Sequence, residues 1–106
     1  MMHQSDLLSP ASLRQRLKPF CEKHHIRRLE VFGSVARGQT MPGSDMDLLV
    51  TLDEPVSTAA LLEMAGKAEE LVGKRVDFVL RRSLEQSRNQ FAREHILSSA
   101  VCVYEG

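Results

Sequence analysis

The sequence predicts one small domain in which helices and strands alternate, and three observations carry that reading. The chain has 106 residues, 42% of them hydrophobic, with only six Gly and four Pro, which suits a single compact domain spanning 1–106 and leaves no room for a second. Apolar residues recur at helical spacing in three stretches, each preceded by a Ser that can cap it. Between these stretches lie short apolar runs bounded by Gly, Pro or acids, as strands of a buried sheet are.

The elements follow in order. Ser9-Pro10 pairs an N-cap residue with proline at the first helical position, and Leu13, Leu17 and Phe20 follow at near-helical spacing, so the first helix is expected from Pro10 to His24. Leu29 to Phe32 reads as a short strand that stops at Gly33. Met46 to Leu52 is a second strand, apolar enough to be buried on both faces except where its acids sit. Asp53-Glu54-Pro55 breaks it, and Ser57 or Thr58 caps a helix through Ala60, Leu61, Met64, Ala68, Leu71 and Val72, with Gly73 as its stop. Arg75 to Leu80 is the third strand. Ser83-Leu84-Glu85-Gln86 then has capping-box spacing and opens a last helix toward Leu97, and Ala100 to Tyr104 forms a closing strand.

Charge and hydropathy exclude several classes. With 14 basic and 14 acidic side chains there is no global electrostatic case for nucleic acid as a partner. No apolar run approaches the roughly 20 residues that cross a bilayer, and Met1 to Pro10 lacks a charged-then-apolar leader, so no membrane association and a cytoplasmic location are expected. Cys21 and Cys102 stand in neither a metal-knuckle nor a redox spacing and are expected to be buried, reduced thiols. Arg27-Arg28, Lys74-Arg75 and Arg81-Arg82 read as solvated strand ends, and His24-His25 as a helix-end pair that caps carbonyls or faces solvent.

The chemistry concentrates in one segment. Val31-Phe32 ends in Gly33-Ser34, ten residues intervene, and Asp45-Met46-Asp47 opens the next apolar run. Gly33 permits close backbone approach, Ser34 presents a hydroxyl and amides to an anion, and Arg37 can hold further phosphate oxygens in bidentate fashion. Side chains two apart on a strand share a face, so Asp45 and Asp47 can approach one cation while Met46 and Leu48 enter the core. A third acid, Asp77, lies inside the apolar run Val76 to Leu80, where an unpaired carboxylate is costly to bury; the alternatives are a salt bridge to Arg75 or Arg81, or a metal. Each part alone has a bland structural reading. Together, a phosphate-gripping turn and three acids are the parts of a magnesium and nucleotide site, because Mg2+ takes one or two carboxylates together with substrate phosphates.

At these residues the chain resembles the minimal nucleotidyltransferases of the DNA polymerase beta-like superfamily, with Gly33, Ser34, Ala36, Arg37, Gly38, Ser44, Asp45, Asp47 and Leu48 all standing where that pattern wants them. The resemblance covers most of the chain. It implies an α+β palm, a small mixed sheet of three or four strands with helices mainly on one side. It also implies that Asp45 and Asp47 bind Mg2+ and position ATP or another NTP, that Ser34 and Arg37 hold its oxygens, and that Asp77 completes the metal site and helps deprotonate the attacking hydroxyl. The implied partner is a HEPN-type toxin in a hetero-oligomer, with AMP transferred from ATP to a toxin tyrosine and the small transferase acting as the antitoxin. Two other readings stay open: a non-catalytic antitoxin that neutralises by binding alone, and a transferase acting on a small molecule or RNA.

Overall fold

Ser9 fixes the start of the first helix: its hydroxyl accepts the Ser12 amide at 3.3 Å, and Pro10 takes the first helical position, where no backbone donor is needed. The computed structural model of the chain describes residues 9–33 and 45–106. Helix α1 (Pro10–Lys23) leads into strand β1 (Ile26–Phe32); strand β2 (Met46–Leu52), helix α2 (Thr58–Val72) and strand β3 (Val76–Leu80) follow. The short helix α3 (Arg81–Glu85), helix α4 (Gln90–Ser99) and strand β4 (Val101–Glu105) complete the described elements.

The four strands form one mixed sheet in the order β3-β2-β1-β4. β1 runs antiparallel to both β2 and β4, while β2 and β3 are parallel, and α2 is the crossover that parallel pairing requires. Alternation along the strands sorts two clusters onto opposite faces. Leu29, Val31, Met46, Leu48 and Val50 face Leu13, Leu17 and Phe20 of α1 and Met64, Ala68 and Val72 of α2, all buried. Each of the Leu, Val, Met and Phe side chains contributes about 1.5–3 kcal/mol on leaving water. The other face carries a smaller cluster of Phe32, Leu49 and Leu84, with Val79, Ile96 and Leu97 packed against it. The two long helices thus occupy one face, and α3 and α4 cover part of the other. Among the described residues no helix is long and apolar enough to cross a membrane.

Capping decides the bounds of α2. The Ser57 hydroxyl accepts the Ala60 amide at 3.1 Å, and Gly73 closes the helix in the left-handed region at φ 71°. A Cβ built on Gly73 meets nothing within 4 Å, so Gly73→Ala incurs the backbone penalty alone. That penalty is about 1–2 kcal/mol, and a melting temperature lower by roughly 5–10 °C is expected by calorimetry. An unchanged melting temperature would place the helix end elsewhere.

Four expectations are corrected. β1 begins at Ile26, not Leu29, because Arg28 pairs in register with Thr51 and Ile26 with Leu52. Ser83 does not open the last helix: it lies inside α3, and α4 is capped by Asn89, whose side chain accepts the Ala92 amide at 3.1 Å. The chain coils directly after β3 because Leu84 has to reach the second cluster and Arg81 is held by Glu30 and Glu85, each at 3.0 Å. Arg81 is therefore not a solvated strand end. Finally, Cys21 is buried, and burial pushes its thiol up to about 12, but Cys102 is only half-buried; both are free.

Candidate active site at the head of the central strands

Register brings the acids together. Asp47 is the second residue of β2 and Asp77 the second of β3, and the parallel ladder makes them direct partners. Neighbouring strands lie about 4.8 Å apart, so two carboxylates on one such rung face the same ligand. Across the other side of β2, Asp47 is the ladder partner of Phe32, the residue before Gly33. Phe32, Asp47 and Asp77 thus form one row on the face opposite α1 and α2. Asp45, exposed, stands immediately before β2.

Gly33 closes the row. Its φ is 73°, in the region that favours glycine, and a Cβ placed there would come 2.5 Å from Oδ2 of Asp47. Two independent constraints, backbone hand and contact with a carboxylate, therefore demand glycine at this position.

The electrostatics agree with this geometry. Partial burial pushes the Asp47 carboxyl up, and the neighbouring Asp77 and Asp45 carboxylates push it further. Asp77 itself is exposed, because β3 is the sheet edge, which corrects the expectation of a buried acid. Neither alternative salt bridge forms: among the described residues Asp77 has no ion pair, and Arg81 is engaged by Glu30 and Glu85. Also among the described residues, no group of three His, Cys, Asp or Glu side chains is drawn tightly enough to hold an ion unaided. A chelating cage is not what Mg2+ needs, since it completes its shell with phosphate oxygens and water.

The raised Asp47 carboxyl has a testable sign. The native state holds that proton more tightly than the unfolded chain, so stability is lost as pH rises from 3.8, the ordinary value, through the raised one. In chelator-treated buffer, Asp47→Asn should gain melting temperature over the wild type across that window. A gap that stays constant with pH would contradict the raised carboxyl.

A cavity of about 250 Å³, lined largely by Val50, Leu52, Pro55, Val56 and Leu80, opens at the other end of β2 and includes none of the three acids.

The family model described as the nucleotidyltransferase domain matches residues 13–102, a span that contains the whole row. The chain belongs to the nucleotidyltransferase family. A protein of Methanocaldococcus jannaschii named as a protein adenylyltransferase is 32% identical over 91 residues, covering 86% of this nucleotidyltransferase and 94% of its relative. A solved structure described as a minimal nucleotidyltransferase superposes with a TM-score of 0.71 at 33% identity, over 94% of this chain and 95% of the other. A chain from the complex of tri-AMPylated Shewanella oneidensis HEPN toxin with MNT antitoxin shares the fold, with a TM-score of 0.66 at 15% identity, over 92% and 73% of the two chains.

Of the nucleotidyltransferase residues expected from sequence, the structure brings together Gly33, Asp47 and Asp77, with Asp45 adjoining. Ser34 and Arg37, with Ala36, Gly38 and Ser44 of the same pattern, lie outside the described residues. One charged neighbour escaped the sequence reading. Glu30 of β1 is buried on the same face as the row, beside Arg28 and Arg81. The signal that singled out Asp77, an acid inside an apolar run, was equally present in Leu29-Glu30-Val31-Phe32.

Proposed function

We propose that this nucleotidyltransferase moves AMP from ATP to a hydroxyl of a partner protein, a tyrosine of a HEPN-type toxin, and so acts as its antitoxin in the cytoplasm. The observation that carries the reading is the Asp47–Asp77 rung packed under Gly33, with Asp45 alongside. It is supported by the M. jannaschii relative named as a protein adenylyltransferase, and by the fold shared with a chain from a complex whose HEPN toxin is AMPylated.

The residues present fit magnesium: the donors are all carboxylate oxygens, and burial together with the neighbouring carboxylates disfavours the charged Asp47, a cost that a divalent cation offsets. Asp45, Asp47 and Asp77 would hold it, and when bound it supplies charge neutralisation at the phosphates. Gly33 keeps the Asp47 carboxylate uncovered, and Ser34 and Arg37 take phosphate oxygens. Asp77, exposed at the sheet edge, accepts the proton of the incoming hydroxyl as its oxygen displaces pyrophosphate from the α phosphorus.

Binding tests the site and transfer tests the acceptor. Magnesium with ATP at a hundred times its dissociation constant should stabilise the fold by about 2.7 kcal/mol. ATP labelled at the α phosphate should then mark the HEPN-type partner, in a magnesium-dependent way, and leave aminoglycosides and RNA unlabelled. No stabilisation and no label on any acceptor would overturn the proposal, and label on a small molecule or RNA would reassign the substrate.

A further inference from the structure

Glu30 is the one charged side chain buried among the described residues, at 5% exposure. Its Oε1 lies 3.0 Å from Nε of Arg28 and 3.0 Å from a terminal nitrogen of Arg81. The Arg81 contact is a hydrogen bond, whereas Arg28 Nε approaches off the bonding direction and makes none. The surroundings are apolar: Glu30 is the ladder partner of Leu49, which is itself the partner of Val79. On the same face, the next rung toward Gly33 is Phe32, Asp47 and Asp77. Arg81 follows directly on Leu80, so its side chain spans β2 from the end of β3 to β1 on the face that carries the acids.

An ion pair in such a setting gains little stability over well-packed apolar side chains, and its best-attested use is to fix register. β3 needs such fixing. It is a five-residue edge strand held by parallel pairing, and a slip of one residue would turn Asp77 to the core face. A side chain pins each end of it: Glu69 of α2 accepts the Val76 amide at 3.0 Å at the start, and Glu30 holds Arg81 just past the finish.

We propose that Glu30 is a positioning residue for the carboxylate row: through Arg81 it holds β3 in the register that sets Asp77 beside Asp47. The inference rests on the adenylyl-transfer reading only for its activity readout.

The decisive variant is the apolar double replacement Glu30→Leu/Arg81→Leu, which fills the space without leaving an unpaired buried charge. It should melt close to the wild type, yet the β3 amides should exchange about tenfold faster relative to the Leu48 amide by NMR. The magnesium concentration for half-maximal AMP transfer should rise about tenfold or more. Arg81→Lys, which keeps the charge and folds without repacking, should fall between. Unchanged exchange and unchanged magnesium demand in both variants would overturn the proposal. A wild type that transfers no AMP would instead overturn the proposed function, and β3 exchange would then decide the role of Glu30 alone.

Discussion

Asp45→Ala/Asp47→Ala is expected to transfer AMP at least about 10³-fold more slowly than the wild type, a loss of roughly 4 kcal/mol of transition-state stabilisation. The same variant should melt within roughly 3 °C of the wild type in magnesium-free buffer. The two halves of the expectation come from one structural fact. Burial pushes the Asp47 carboxyl up and the neighbouring carboxylates push it further, so deleting two of the three acids relieves a cost to the fold together with removing function. Single-turnover transfer and a thermal melt, run on the same preparation, check both halves. Equal transfer rates would show that the row is not where the nucleotide is handled. A collapse of the melting temperature would show that the acids hold the fold, as an ordinary ion-paired surface would.

The second large effect is at Gly33. Gly33→Ala puts a side chain into a left-handed conformation at about 1–2 kcal/mol, and adds a Cβ that would stand 2.5 Å from the Asp47 carboxylate. The carboxylate has to move. A displacement near 1 Å at a reacting centre can cost about 10²-fold in rate, so transfer should fall by that order while the melting temperature drops roughly 5–10 °C. Gly73→Ala is the control, since it carries the same backbone strain at φ 71° with no atom near its Cβ, and it lies at the end of α2. It should lose stability and keep its activity at assay temperatures where it remains folded. Equal activity losses in the two variants would attribute the Gly33 effect to destabilisation alone.

Local chemistry made much of the fold legible. Ser9-Pro10, Ser57 and Gly73 place helix ends through bonds to residues a few positions away, and β2 falls on Met46–Leu52 as its apolar density indicates. The misread elements involve long-range contacts. Ser83 has capping-box spacing, but the chain there answers to Arg81 reaching Glu30, 51 positions away in sequence, and to Leu84 entering the second cluster. β1 extends back to Ile26 because Ile26 and Arg28 are drawn into the ladder with β2, which no window of sequence around Arg27-Arg28 contains.

The site divides in the same way. Gly33, Asp45 and Asp47 are visible as a local pattern of residue types and spacing. That Asp77 lies on the same rung as Asp47 depends on parallel pairing across a 15-residue crossover helix, and that it is exposed depends on β3 being an edge. Neither follows from Val76-Asp77-Phe78 alone. Glu30 was hidden for a further reason: its meaning comes from Arg81, which the charge pattern assigns to solvent.

Transfer of AMP from the carboxylate row to a partner's hydroxyl leaves a covalent mark that site-resolved mass spectrometry of the partner reads. After incubation of the HEPN-type toxin with this chain, magnesium and ATP, AMP is expected on a toxin tyrosine, and is expected to be absent when Asp45→Ala/Asp47→Ala replaces the wild type. A toxin that is fully neutralised by the wild type yet carries no AMP on any residue would contradict it.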